Sequence, residues 1–84
     1  MQKIGKITHF FDKIGVAVLE VNEGQVKLGD QIQIGEEGQE NTFTQTVESI
    51  QVDHQPVEFA KAGDEVGLKL TNPTKPGTPV FLVQ

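Results

Sequence analysis

The sequence predicts an all-β protein that folds as one small antiparallel β-barrel of six or seven strands across residues 1–84. A Lys-x-Gly unit occurs three times, in segments 27–32, 61–66 and 75–80, and a β-branched residue follows each glycine three positions later. Glycine reaches positive φ without a Cβ clash, so each unit can turn the chain into a new strand. Hydrophobic residues make up 36% of the sequence. More than half of them are Val or Ile, which favours strands over helices.

The first half of the chain predicts three strands separated by turns. We expect a strand at Lys3–Phe10, a turn around residues 12–15, and a second strand at Gly15–Val21, where every second residue is apolar. Asn22-Glu23-Gly24 is a turn signal of a length suited to a tight connection. Gln31–Ile34 alternates polar and apolar residues, which is typical of a half-buried strand.

The second half begins with an acidic, glycine-rich segment, Gly35–Asn41, which predicts a loop. Thr42–Val52 is a long β-branched stretch whose apolar alternation changes phase midway, and a β-bulge near Glu48-Ser49 would explain this change. Pro56–Ala60 predicts one helical turn or a tight loop. The remaining predicted strands are Val66–Leu70 and Val80–Leu82. Short strands with turns at this spacing favour a closed or nearly closed barrel.

Charge is distributed unevenly along the chain, whose net charge is −5. Residues 1–19 carry three lysines and one aspartate, residues 20–65 carry eleven acids and two lysines, and residues 66–84 carry two lysines. If the two terminal segments pair, they form a mildly basic face on an acidic body. Every basic residue is lysine, and the absence of arginine weighs against strong nucleic-acid recognition.

The sequence has no cysteine, so disulfides and thiolate metal sites are excluded, which fits a cytoplasmic protein. Its longest apolar runs, Val16–Leu19 and Val80–Val83, are too short for a membrane span or a signal peptide. We therefore expect a cytoplasmic protein without membrane association.

Three segments carry a resemblance to a known family: Lys27–Ile34, Thr46–Ile50 and Ala60–Leu70. In type and order they resemble domain 2 of translational GTPases such as elongation factor Tu, and above all the free-standing elongation factor-like proteins that consist of this barrel. Similar barrels are also attached to collagenase-like prokaryotic peptidases. The resemblance covers residues 4–83. It implies a translation-factor domain 2 barrel with a role in protein biosynthesis.

Two features that the family's GTPases use are missing from the sequence. A GTPase needs a Gly-x-x-x-x-Gly-Lys-Ser/Thr loop, whereas Gly5-Lys6 here is followed by Ile7, so we expect no nucleotide binding. In elongation factor Tu an acidic–acidic–apolar–aromatic stretch helps to hold the aminoacylated end of tRNA. By position, Gly5–Thr8 replaces it and offers neither acid nor aromatic, so specific aminoacyl-tRNA binding is not expected.

The segment His9-Phe10-Phe11-Asp12-Lys13 is the strongest candidate for a contact surface. Adjacent side chains on a strand point to opposite faces, so one phenylalanine enters the core. The other lies beside His9 and Lys13 and forms an aromatic and cationic patch. The interpretation we favour from the sequence, however, is that the strand ends here and both rings cover the open end of the barrel.

Other polar residues predict no chemistry. His9 and Asp12 are not expected near Asp53-His54, so no metal site is predicted, and His54 is expected in the turn before Pro56. Ser49 is the only serine and has no expected base beside it. The acidic residues of the Gly35–Asn41 loop are expected to be solvated.

The leading hypothesis is a non-catalytic binding module that contacts ribosomal RNA or tRNA, weakly and in a salt-dependent manner. The alternative is a protein–protein adaptor for a peptidase or an RNA-modifying enzyme. An enzyme is the third hypothesis, because no convergent acid, base or metal constellation supports it. No cofactor is expected. The candidate contact residues are Lys3, Lys6, His9, Phe10, Phe11 and Lys13.

Overall fold

A computed structural model describes residues 1–83, which form ten β-strands and the turns between them. The strands are β1 Gln2–Phe11, β2 Val16–Val21, β3 Gln25–Lys27, β4 Gln31–Ile34, β5 Phe43–Thr46, β6 Ile50–Val52, β7 Gln55–Val57, β8 Phe59–Lys61, β9 Glu65–Lys69 and β10 Pro79–Val83. Within these 83 residues, no helix is long and apolar enough to cross a membrane.

Eight strands form one curled antiparallel sheet in the order β5-β4-β10-β1-β2-β9-β6-β7, and β3 pairs with β8 in a second sheet. The predicted all-β, barrel-type architecture is confirmed. The ten strands outnumber the six or seven expected. The terminal strands pair, since Lys3 lies opposite Phe81 in the β1–β10 ladder. The backbone ladder does not close on itself, because β5 and β7 lie at opposite ends of the sheet order.

The core lies on the concave side of the curled sheet. It consists of fifteen buried apolar side chains: Ile4, Ile7, Ala17, Leu19, Val21, Val26, Ile32, Ile34, Val47, Ile50, Ala60, Val66, Leu68, Leu70 and Val80. Most are Val or Ile, which pack well on a pleated surface. Strand β9 alternates buried and more exposed residues, and the expected alternation in β2 is confirmed. In β4 it is not, because Gln33 is also buried and its Nε2 donates to the Gly35 carbonyl at 3.0 Å.

The three Lys-x-Gly units form turns of one type. Their glycines have φ of 91°, 99° and 91°, and in each turn the fourth backbone N–H donates to the carbonyl of the lysine, as in a type II turn. In turns 27–30 and 61–64 the aspartate carboxylate also accepts the lysine N–H at 3.0 Å. In turn 75–78 the Thr78 hydroxyl donates to the Lys75 carbonyl at 2.7 Å. The two aspartates and Thr78 thus reinforce the turns with side-chain hydrogen bonds.

The predicted bulge at Glu48-Ser49 is wrong, because Thr42–Val52 is not one strand. β5 pairs with β4, whereas β6 pairs with β7 and β9. Between them the chain crosses from one part of the sheet to another, and the Val47 N–H donates to the Asp30 carbonyl at 2.8 Å. The apolar phase changes because the partner strands change.

The prediction for Pro56–Ala60 is also wrong, since this segment belongs to β7 and β8 rather than to a helical turn or loop. A two-residue turn joins β6 to β7, and both of its residues, Asp53 and His54, have positive φ, 52° and 67°. This is the pattern of a type I′ hairpin turn. The expected place of His54, in the turn before Pro56, is correct. Residues 22–24 connect β2 to β3, which do not pair with each other.

A buried side-chain amide links the two parts of the sheet that the backbone ladder leaves apart. Gln45 on β5 is 9% exposed. Its Nε2 donates to the Lys69 carbonyl at the end of β9, and its Oε1 accepts the Thr71 N–H, both at 2.8 Å. The amide therefore makes the pair of bonds that a neighbouring strand would make, and it closes the curled sheet across this seam.

Replacing Gln45 with methionine should lower the free energy of unfolding by about 2–4 kcal/mol, because two partly buried backbone groups lose their partners. For a domain of this size the melting temperature should fall by roughly 10 °C or more. Thermal and urea unfolding followed by circular dichroism would measure both quantities. Gln51→Met, at an exposed position of β6, is the control. Equal stability of the two variants would contradict the seam's role.

Candidate interaction surface on strand β1

Strand β1 carries two irregularities that decide which side chains reach its outer face. The β1–β10 register shifts between Lys3 and Gly5, and the β1–β2 register shifts between Ile7 and His9. Each shift places one extra residue on β1 and thereby changes the alternation of its side chains. As a result, Lys3, Lys6 and His9 are all exposed although they are three residues apart.

Gly5 permits the close approach of β1 and β2 at the first of these shifts. A Cβ atom at this position would lie 1.9 Å from the backbone oxygen of Glu20. Any other residue would therefore push the two strands apart. The stretch Gly5–Thr8 thus contributes a packing glycine and the outward Lys6 to this part of β1.

The two adjacent phenylalanines point to opposite sides. Phe10 is partly buried and packs against the core, whereas Phe11 is 51% exposed and stacks with His9 at a ring-centroid distance of 6.3 Å. In the next turn Ile14 is 58% exposed, and its carbonyl accepts a hydrogen bond from the Lys69 Nζ at 2.8 Å. The favoured interpretation, with both rings over the barrel end, is therefore wrong, because Phe11 is exposed; the other interpretation, with one core ring and one surface ring, describes this end of β1.

The outer face of β1 therefore brings together Lys3, Lys6, His9 and Phe11, which we call the β1 stripe. Lys13 is exposed in the turn that follows. Phe10 is the exception among the six candidate contact residues, because its ring packs against the core. Sequence reasoning missed Ile14, although an apolar residue within a polar turn was a visible signal. Contact of these residues with RNA or protein stays a prediction.

The surface beside the β1 stripe is apolar and is formed by short side chains that project little into solvent. Val16 and Val18 on β2 lie opposite Phe11 and His9 and are half-buried. Gly67 on the next strand has no side chain, and a Cβ there would lie 3.5 Å from the Val16 Cγ1. The Phe11 ring thus stands at the edge of a shallow apolar floor, which is a suitable contact area for another molecule.

The remaining candidates do not converge on a chemical site. Residues 1–83 contain no group of three or more His, Asp or Glu side chains that could hold a metal ion. Ser49 is half-buried in the crossing between β5 and β6. The acidic loop 35–41 is exposed at its glutamates and lines, with loop 72–78, a hollow of about 560 Å³.

Comparison with known proteins decides the family. Residues 15–76 match the family described as Elongation factor Tu domain 2. The chain belongs to this family. It is 34% identical over 82 residues to an uncharacterized protease of Methanocaldococcus jannaschii, a match that covers 98% of this chain and 20% of the protease. The chain thus spans about a fifth of the length of that relative.

Two solved structures share the fold. The C-terminal domain of a putative U32 peptidase from Geobacillus thermoleovorans has a TM-score of 0.87 at 19% identity, covering 99% of this chain and 93% of the domain. The selenomethionine variant of that domain has a TM-score of 0.85 at 20% identity, covering 96% and 99%. The predicted domain 2 resemblance is confirmed. These structural neighbours are peptidase domains, however, and not free-standing elongation factor-like proteins.

The two phenylalanines should respond differently to truncation. Phe10→Ala should lower the free energy of unfolding by about 2–4 kcal/mol, because a ring that packs against the core is lost. Phe11→Ala should change it by about 0.5 kcal/mol or less, as expected for an exposed residue. Urea unfolding of both variants would measure the difference. Equal losses would mean that both rings belong to the core.

Proposed function

We propose that this protein is a non-catalytic adaptor module that binds a peptidase of the U32 class, either within one chain or between two chains. The match to the M. jannaschii protease carries this proposal, because nearly the whole barrel corresponds to about a fifth of a larger protease. The fold shared with a peptidase C-terminal domain supports it. In this role the barrel supplies a binding surface and takes no part in peptide-bond cleavage.

The β1 stripe has the chemistry of a protein-binding surface. Exposed aromatic residues that stand beside apolar neighbours often dominate interface energies. Phe11 is such a residue: it stacks on His9 and lies near the exposed Ile14. A ring that already contacts a neighbouring ring has less conformational freedom to lose on binding than an isolated exposed side chain. Lys3, Lys6 and Lys13 provide a basic rim that favours a partner with an acidic surface.

The adaptor role predicts direct binding of the purified protein to a U32-class peptidase from the same organism. Phe11→Ser should weaken this binding at least about tenfold, since it removes the aromatic anchor. The control is Glu37→Ser, at an exposed position of loop 35–41, which carries none of the exposed large apolar side chains. Isothermal titration calorimetry would measure both affinities.

Absence of binding by the unaltered protein would overturn the adaptor proposal. Equal binding by the unaltered protein and Phe11→Ser would leave the peptidase as partner but would move the contact away from the β1 stripe. Circular dichroism melts of both variants would show that the loss does not come from unfolding.

A second candidate function is contact with ribosomal RNA or tRNA through the same surface. The observation in its favour is that Lys3, Lys6 and Lys13 are all exposed on or beside the outer face of β1. Membership in a family of translation-factor domains adds support. Three lysines neutralise few phosphates, so the affinity should be low and should depend strongly on salt.

Co-sedimentation with ribosomes tests this second function. If the three lysines contact single-stranded phosphates, binding should fall roughly tenfold to twentyfold between 50 and 200 mM salt. Combined reversal by Lys3→Glu, Lys6→Glu and Lys13→Glu should abolish it. The control is the reversal of Lys27, Lys61 and Lys75 in the three type II turns. Binding that is equally sensitive to both triple changes would reflect net charge and would exclude a specific β1 contact.

A further inference from the structure

A second aromatic side chain, Phe59, projects from the small sheet formed by β3 and β8. Ala60 is completely buried, so its neighbours Phe59 and Lys61 face outwards. Phe59 is 55% exposed and lies directly opposite Lys27 in the antiparallel ladder. Leu28, which is 41% exposed, follows Lys27 in the type II turn. The small sheet therefore presents an aromatic ring and a leucine to solvent.

Hollows lie on both sides of this ring. The smaller, of about 360 Å³, lies beside Leu28, and the larger, of about 590 Å³, lies beside Val57. Phe59 and Glu58 line both, so the ring forms a ridge between them. The other residues of the smaller hollow are Gln25 and Lys27, and those of the larger hollow are Val52, Lys61, Asp64 and Glu65. We call this surface the Phe59 ridge.

The backbone under the Phe59 ridge is held at both ends. The Leu28 N–H donates to the Glu58 carbonyl at 3.0 Å, and the Ala62 N–H donates to the Gly24 carbonyl at 3.0 Å. The three-residue β3–β8 ladder lies between these two bonds. The ring and its two hollows are therefore built on a fixed frame, and a ligand would not have to order the backbone.

The larger hollow is acidic as well as apolar. Glu58, Asp64 and Glu65 line it against the single cation of Lys61, above an apolar floor of Val52 and Val57. A cation placed in this hollow would be attracted by the three carboxylates and could stand over the face of the Phe59 ring.

We propose that the Phe59 ridge binds an extended, basic segment of a partner protein. An apolar side chain of the segment occupies the hollow beside Leu28, and a lysine or arginine two positions away occupies the hollow beside Glu65. Alternate side chains of an extended chain point the same way and are roughly 7 Å apart, so one segment can place both in adjoining hollows that share Phe59 and Glu58 as lining residues. This surface goes beyond the proposed function, because it has no residue in common with the β1 stripe.

The combination of aromatic ring and negative charge distinguishes the Phe59 ridge from other surfaces of residues 1–83. The loop with Glu36, Glu37 and Glu40 has the same sign of charge, but none of the exposed large apolar side chains lies there. Phe11 is exposed to a similar extent but shares its strand face with Lys3 and Lys6, which repel a basic segment. These two surfaces are therefore internal controls, one for charge alone and one for an aromatic ring alone.

The test is an NMR titration of the ¹⁵N-labelled protein with an acetylated dodecapeptide that repeats Leu-Ser-Arg-Ser. Two further peptides, with glutamate in place of arginine and with glycine in place of leucine, test the charge and the apolar requirement. We expect saturable shifts of the Val57, Phe59 and Glu65 amides with the first peptide and weaker binding of the other two. Phe59→Ser and Glu65→Gln should each weaken binding, the former at least about tenfold, whereas Phe11→Ser should not.

Three results would overturn the proposal: no saturable shifts with the first peptide, equal affinity for the glutamate peptide, or shifts centred on the acidic loop 35–41. Sedimentation velocity of the protein alone tests whether a second copy of the chain occupies the ridge instead. Self-association that is lost in both Phe59→Ser and Lys6→Glu would show that a second copy occupies the ridge, and would replace the proposal. Because the probe is a peptide, failure to bind a U32-class peptidase would leave this result unaffected.

Discussion

The fold depends on how the ends of a curled sheet are held together without a continuous backbone ladder. Gln45 supplies a side-chain amide across this seam, where its two polar atoms bond the Lys69 carbonyl and the Thr71 N–H. Turn 27–30 adds three further backbone hydrogen bonds. Two of them join the turn to Val47, and in the third the Leu28 N–H donates to the Glu58 carbonyl. These bonds fix the concave core, the crossing from β5 to β6, and the small sheet that carries Phe59.

Sequence reasoning succeeded where structure is decided by neighbours along the chain. The Lys-x-Gly turns and the alternation in β2 follow from local φ preferences and from the period of a strand. It failed where pairing between strands that are distant in sequence decides the structure. The long segment Thr42–Val52 divides because its halves pair with different strands. The β6–β7 hairpin was missed because Asp53-His54 lacks the glycine that marks a type I′ turn. Pro56 argues against a strand when only the sequence is considered, but proline is tolerated on the edge strand β7.

The same distinction, between local preferences and pairing with distant strands, explains which surface residues could be predicted from the sequence. Alternation alone predicts that one ring of an adjacent phenylalanine pair is exposed, and Phe11 fulfils this. The two register shifts of β1 depend on its neighbours β2 and β10, so the shared outward direction of Lys3, Lys6 and His9 had no signal in local sequence. Phe59 was hidden by the helical or loop interpretation of Pro56–Ala60, since an outward direction can be inferred only once a strand is assigned.

The charges around the two exposed rings suggest how one small barrel can orient a partner. Phe11 shares the outer face of β1 with Lys3 and Lys6, whereas Phe59 stands beside three carboxylates that outnumber Lys27 and Lys61. Aromatic contacts chiefly prolong a complex, while complementary charges speed the encounter and exclude wrong orientations. A partner that presents acidic groups to one ring and basic groups to the other can dock in one orientation only. The domain 2 framework fixes where the rings stand, and the outward side chains around them, rather than the fold, determine which molecule is bound.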